Sequence, residues 1–513
     1  MKKIKLYITA FLAVALFAVG CDKGFDEINT SKIDLKTTNP AYLFNSAIID
    51  VTGRGGNYIL QEFGVIQWMV SPFGASQVGA NYNQWTDKQN EPWNFFQNAI
   101  PKTVEVVRMT KGDDRKQNLH NAARIWKAYV FMQITDAYGD IPYFQAGLGY
   151  TEQIITPEYN TQQVIYTDLL KELDEASAAL DPAKEVISGE LLYGGNVANW
   201  KKLGYSLLLR AAMRLSKVDP ATAETYVKKA VAANSFMSSN SDNAIMKHTP
   251  EFQNSYGNWL SSTERGNLYA TKTFVEFLRS KNDPRLGVFL YRFEGATTSA
   301  QQTDARKTKD PAKQRGMPIG YSNLTIVDQF TVEGVVAIHD FSQFDHTYFF
   351  NNSAPQFHCT YAQTQLLLAE AMVRGWATGD PKVAFENAVR ADMARLAQFN
   401  SAAVVPAAAI DAYIAAHPLN VTTTEASLEQ INYEYWIAAF PHATEAWANW
   451  RRSGYPNLPV NTYPFSEVPG DFIRRHIYPE REQITNRDNL DAAIQRQFPQ
   501  GQKMNSRIWW HKL

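Results

Sequence analysis

Along most of this chain the apolar residues recur with the 3.6-residue period of a helix. Leu119, Ala122, Trp126, Tyr129, Val130, Gln133 and Ala137 fall on one face. Gly139-Asp140-Ile141-Pro142 ends that run, because glycine and proline interrupt helices. A second helix is predicted over 162–180, with Tyr166, Leu170 and Leu173 on its buried stripe. Trp200, Leu203, Gly204 and Leu207 then form W-x-x-L-G-x-x-large, the first-helix signature of a tetratricopeptide repeat. Its partner helix opens after Val218-Asp219-Pro220 and carries Ala223, Val227 and Ala230, small residues that let two helices approach closely. The same spacing returns as Ala384, Ala388 and Ala391 after Gly379-Asp380-Pro381, preceded by a helix over about 361–376. Helices near 427–440 and 444–452 make a further, degenerate pair. The predicted fold is all-α: a tetratricopeptide-like helix-pair superhelix with long loop insertions and few short strands.

The helical period disappears over 53–91, 236–265 and 291–355. Only two short strands are expected there, at Thr325–Phe330 and Val335–Ile338. Loops this long inside a compact domain usually carry function. Aromatic and amide residues interleave in them. Asn81, Tyr82, Asn83, Gln84 and Trp85 form one cluster; Asn254, Tyr256, Asn258 and Trp259, with Arg265 close behind, form another. Flat rings stack on the apolar faces of sugars, while amides and guanidinium groups hydrogen-bond hydroxyls, and ligand pockets combine such a platform with a few oriented polar groups. The candidate ligand-binding residues are therefore Asn81, Tyr82, Trp85, Tyr256, Asn258, Trp259 and Arg265. Extended peptides suit the same residue types. Trp126, Trp200, Trp376, Trp436 and Trp447 lie on helical stripes and are expected in the core, as is Trp93 beside Phe95 and Phe96.

The first thirty residues read differently. Lys2, Lys3 and Lys5 precede an apolar run from Leu6 to Val19, then Gly20-Cys21 and the acids Asp22, Asp26 and Glu27. This is the layout of a secretory leader. Its apolar run, about 14 residues, is too short for a settled transmembrane helix. A cysteine directly after the cut site is the pattern of a bacterial lipoprotein, with Cys21 acylated as the first mature residue. Ala18 stands where leucine is commoner; the alternative is an ordinary exported protein. The expected organisation is a leader over 1–20, a lipidated tether over 21–40, and one ligand-binding domain over 41–513.

Composition narrows the function. The 513 residues are 45% hydrophobic and 20% charged, so the chain can bury a large core, and its formal charge is −1. Losing three leader lysines makes the mature chain more acidic, which argues against nucleic acid as a partner. With Cys21 carrying lipid, Cys359 has no cysteine to pair with. H-E-x-x-H, C-x-x-C, the P-loop and G-x-G-x-x-G are all absent. Gly74 to Gly79 holds a serine but has one residue too many for a nucleophile elbow. His339, Asp340, Asp345 and His346 offer metal-ligand atoms without a spacing that fixes a geometry, so they are read as a polar loop face. No catalytic residue, metal or cofactor is expected, beyond the covalent lipid on Cys21.

A set of motifs spread over nearly the whole length carries a resemblance. These are Cys21 with Phe25-Asp26-Glu27-Ile28-Asn29, Tyr138 to Tyr143, Trp200 through Leu207 to Arg210–Leu215, and Asp283-Pro284-Arg285-Leu286. Ser353-Ala354-Pro355, Leu367 to Ala371, Glu445-Ala446-Trp447 through Arg451 to Pro456, and Tyr478-Pro479 to Glu482 follow in order. In their order and spacing they resemble the SusD/RagB family of nutrient-binding outer-membrane lipoproteins of Bacteroidetes. The resemblance implies four tetratricopeptide-like helix pairs, display on the cell exterior, and a SusC-type TonB-dependent transporter as partner. It implies binding and delivery of oligosaccharides, or of peptides in some branches, without catalysis. A secreted helical glycosidase is the more distant alternative. Family hallmarks such as Trp447 and Arg451 are read as structural.

Overall fold

A computed structural model describes residues 38–52, 59–73, 92–260 and 266–512. Cys21, the leader and most of the tether lie outside these. The helices that build the frame are α1 (Pro40–Thr52), α2 (Ala99–Thr110), α3 (Gln117–Tyr138), α4 (Gln162–Ala179), α5 (Val197–Arg214) and α6 (Pro220–Ala233). Each packs on the next.

Sequence chemistry sets their ends. The Thr161 side chain caps α4 by accepting from Val164 N, and Asn196 caps α5. Asp219 followed by Pro220 opens α6. Gly139, at φ 91°, closes α3 where the glycine-proline turn is expected. Ala223, Val227 and Ala230 are the buried residues of α6. The glycine of the repeat signature has a clear purpose: a Cβ on Gly204 would sit 2.0 Å from Ser177 Oγ and 2.8 Å from Ile125 Cδ1. That position is where α5 presses onto α4 and α3.

After the insertions come α7 (Ser255–Leu260), α8 (Lys272–Ser280), α9 (Tyr361–Val373), α10 (Pro381–Arg395), α11 (Ala407–Ala416), α12 (Thr424–Ala438), α13 (Ala443–Ser453) and α14 (Arg487–Gln497). Thr360 and Gln363 form a capping box at the start of α9. Ala384, Ala388 and Ala391 are buried on α10, which packs against α9. Helix α9 also packs against α5 and α12, joining the two halves of the frame. The pairs α3/α4, α5/α6, α9/α10 and α12/α13 are the tetratricopeptide-like units, and one large apolar core runs through them.

Trp93, Trp126, Trp200, Trp436 and Trp447 are buried in that core. Trp376 lies beyond the end of α9, half-buried, with the Arg374 guanidinium 5.3 Å from its ring centroid. Polar residues are buried alongside. Arg214 reaches Glu445 at 2.8 Å and Asp136 at 3.2 Å, and Arg285 reaches Asp283, Asp392 and Glu434. Arg451 lies 3.8 Å above the Trp447 ring and donates to the carbonyls of Asp136 and Arg474, a structural role for both hallmarks.

The two expected strands do not form. Residues 326–329 and 338–340 are single 3-10 turns, and Phe330–Glu333 is one helical turn closed by Gly334 at φ 66°. This segment buries Ile326 and Val335 by curling, so it has no neighbour to pair with. Strands occur elsewhere, all short: β1 (Met69–Val70), β2 (Ile141–Pro142), β3 (Tyr159–Asn160), β4 (Ala244–Met246), β5 (Tyr269–Ala270), β6 (Leu290–Phe293), β7 (Lys307–Thr308), β8 (Gln343–Phe344) and β9 (Gln356–Cys359). They make three antiparallel pairs and one three-stranded sheet ordered β7-β6-β8.

Candidate ligand-binding face

The insertions gather around one small sheet. β1 and β5 pair antiparallel, Met69 opposite Ala270 and Val70 opposite Tyr269, and Thr271 N adds a bond to Trp68 O at 3.1 Å. β1 lies just before 74–91, which holds the first aromatic-amide cluster. β5 lies just after 261–265, which ends the second. Segments far apart in sequence are therefore bracketed by the same ladder.

The third insertion joins them. Ala270 N donates to Ser342 O, Met317 N donates to Ala270 O, and Asn323 N donates to Pro72 O at 2.8 Å. Met69 and Ala270 point into the main core, while the alternate residues of the two strands point the other way and are buried by the third insertion. Val70, Tyr269, Met317, Ile326, Val335 and Phe341 form a separate small core, flanked by Phe73, Ile319 and Tyr321. The Tyr269 hydroxyl donates to Gly266 O at 2.8 Å and lies 3.5 Å from His339 Nδ1. Burial pushes its pKa up, so it remains a protonated donor. Around this core Leu324, Val332 and Val336 are left exposed.

Helix α7 carries Tyr256, Asn258 and Trp259. Asn254 docks it: the side-chain oxygen accepts from Tyr256 N at 2.8 Å, and Nδ2 donates to Ala354 O at 2.7 Å. Gly257 lies so close to the 351–354 turn that a Cβ would sit 2.2 Å from Asn351 O. Asn258 is exposed and Trp259 is half-buried. Tyr256 points inward; it is 5% exposed, edge-on to Phe63 at 6.3 Å. It lines an internal void of about 20 Å³ with Tyr129, His358 and His442, space for one water and no ligand. Asn81, Tyr82, Trp85 and Arg265 lie outside the described residues.

The histidine–aspartate group of the third insertion is engaged in structure. Arg292 clamps Asp340 at 2.8 and 2.9 Å, and Asp340 also accepts from the backbone of Gly295 and Val336. Asp345 accepts from Thr347 and pairs with Lys309 at 2.6 Å. Tyr269 and Tyr321 escaped the sequence reading, and His339 entered it only as a polar loop residue with metal-ligand atoms.

Stacked helix pairs whose insertions meet in one face define a tetratricopeptide-like scaffold with a loop-built surface. Residues 32–479 match the SusD-like family described as starch-binding and associating with the outer membrane, and the chain belongs to that family. Among solved structures it is similar to a chitin-binding protein, at 29% identity and a TM-score of 0.81, covering 93% of this chain and 100% of that one. A SusD-like protein of Bacteroidetes AC2a aligns at 26% identity and a TM-score of 0.80, with the same coverage. A chitin-binding SusD homolog from Flavobacterium johnsoniae shares the fold at 22% identity and a TM-score of 0.74, covering 92% of this chain and 98% of that one. No curated protein matches in sequence. Among the described residues no helix is long and apolar enough to cross a membrane.

Proposed function

We propose that this chain is an outer-membrane lipoprotein, tethered through Cys21 and facing the cell exterior, that binds oligosaccharides and delivers them to a SusC-type TonB-dependent transporter. The observation that carries this reading is the family match over 32–479, whose description joins starch binding to the outer membrane. A relative at 29% identity, named for binding chitin, favours a glycan over a peptide.

The insertions suit the task physically. The rigid frame supports a loop face bearing Asn258 and Trp259, and the β1–β5 ladder brackets the segments holding Asn81, Tyr82, Trp85 and Arg265. Tyr256 supports this face from behind. Capture without chemistry needs only such a platform and polar forks. The carboxylates of Asp340 and Asp345 are bound to Arg292 and Lys309, which suits structure better than acid–base work on a sugar.

Calorimetry of the pure protein against starch-type, chitin-type and peptide ligands tests the reading. Saturable binding of one glycan class is expected, with Trp259→Ala and Trp85→Ala each weakening it about tenfold, equivalent to about 1.4 kcal/mol. Unchanged affinity in both variants overturns the site, and release of new reducing ends from the glycan overturns the binding-only role. Co-purification with a TonB-dependent barrel tests the partner.

A further inference from the structure

A cleft lies between the start of α4, the end of α14 and the segment 507–512. Its volume is about 600 Å³, room for two or three sugar rings. Trp509 is half-buried against the main core and lines the cleft, offering a ring as a platform.

The charge around it is one-sided. Arg496, Arg507 and Lys512 line the cleft with a single carboxylate, Asp140. Asp140 is fully used: Arg496 clamps one oxygen at 2.9 and 2.7 Å, and Gln162 N donates to the other. Arg507 and Lys512 are exposed and form no ion pair among the described residues. The positive end of α4 adds to the same field.

His511 forms part of the cleft wall. It is 8% exposed, and its Nδ1 has no hydrogen-bond partner among the described residues. Buried polar atoms are rarely left in that state. Burial first, then Arg451, Arg507 and Arg474, hold the imidazole down at about 2, so it stays neutral at any working pH. With Nδ1 closed off behind the cleft wall, a neutral ring presents an uncharged edge to the cleft and leaves the anion to Arg507 and Lys512.

We propose that this cleft is a second carbohydrate site, selective for a sugar bearing a carboxylate or sulfate, with Trp509 beneath the ring and Arg507 and Lys512 on the anion. It shares no residue with the described part of the loop face.

The test uses the full chain and calorimetry with three probes of equal length: a trigalacturonate, a sulfated galactose trisaccharide and a neutral galactose trisaccharide. Running them on the Trp85→Ala/Trp259→Ala background separates this cleft from the loop face. At least one acidic probe is expected to bind about tenfold more tightly than the neutral one, and which acid wins identifies the anionic group. Arg507→Gln/Lys512→Gln, both on the surface, should remove that preference, and raised salt should weaken it. Equal affinity for acidic and neutral probes, no binding of either acid, or a double variant that keeps the preference overturns the proposal. Loss of binding on the Trp85→Ala/Trp259→Ala background alone, with wild type binding, also overturns it and leaves the loop face standing.

Discussion

Arg452 holds Glu370 with both arms of its guanidinium, Nη1 to Oε1 at 2.6 Å and Nη2 to Oε2 at 2.7 Å, with both side chains 1% exposed. Asn432 and Asn449 accept from the same Arg452, and Arg374 adds a second cation to Glu370 at 2.9 Å. The cluster ties α9, α12 and α13 together.

That pair makes stability acid-sensitive. Burial alone would raise the Glu370 carboxyl, but Arg452 and Arg374 outweigh it and hold it at about 2, below its ordinary 4.5. The unfolded chain takes up the proton first, so this contribution is full above about pH 4.5 and drains as pH falls towards 2. Glu370→Gln should lower stability at neutral pH by about 3–5 kcal/mol, since it leaves Arg452 buried without its counter-charge. Its melting temperature should also decline less than wild type's between pH 5 and pH 3. Parallel declines in a thermal melt series would show that Glu370 does not set the acid limit.

Gly204→Ala sets two effects against each other. Alanine favours a helix by about 1 kcal/mol, yet here its methyl meets Ser177 Oγ and Ile125 Cδ1. Overpacking costs about 1–3 kcal/mol and should win. Adding Ser177→Ala removes the nearest atom and should recover part of the loss. Urea denaturation of the single and double variants measures this, and equal midpoints for Gly204→Ala and wild type would refute it.

Gly257→Ala should act on binding through position. The methyl would meet the backbone oxygen of Asn351, which cannot rotate away, so α7 must lift from the 351–354 turn. Asn258 and Trp259 move with it. Glycan affinity should fall about as much as in Trp259→Ala, roughly tenfold, and the unfolding midpoint should drop with it, because Tyr256 and Leu260 of α7 sit in the main core. Full affinity in this variant would mean that the loop face tolerates the shift.

Cys21→Ser removes the acylation site. The variant should leave the membrane pellet for the soluble fraction on cell fractionation, and lose the incorporation of labelled palmitate. Retention in the pellet with label would place the anchor elsewhere.

Much of the frame was legible from the sequence by itself, because helix pairing leaves local marks. Asp219-Pro220 and Gly139 set helix ends, and Ala384, Ala388 and Ala391 mark a close face. The resemblance rested on residues such as Arg214, Glu370, Arg451 and Arg452, which prove to be a buried polar frame. Each is 2% exposed or less and bonded within the helix packing, so they belong to the frame. What only the tertiary structure decided is non-local. The β1–β5 ladder joins residues two hundred positions apart, turns replace the expected strands near 325–338, and Tyr256 faces inward. No period in the chain encodes such pairings; they follow from which loop ends the finished frame brings within hydrogen-bonding reach.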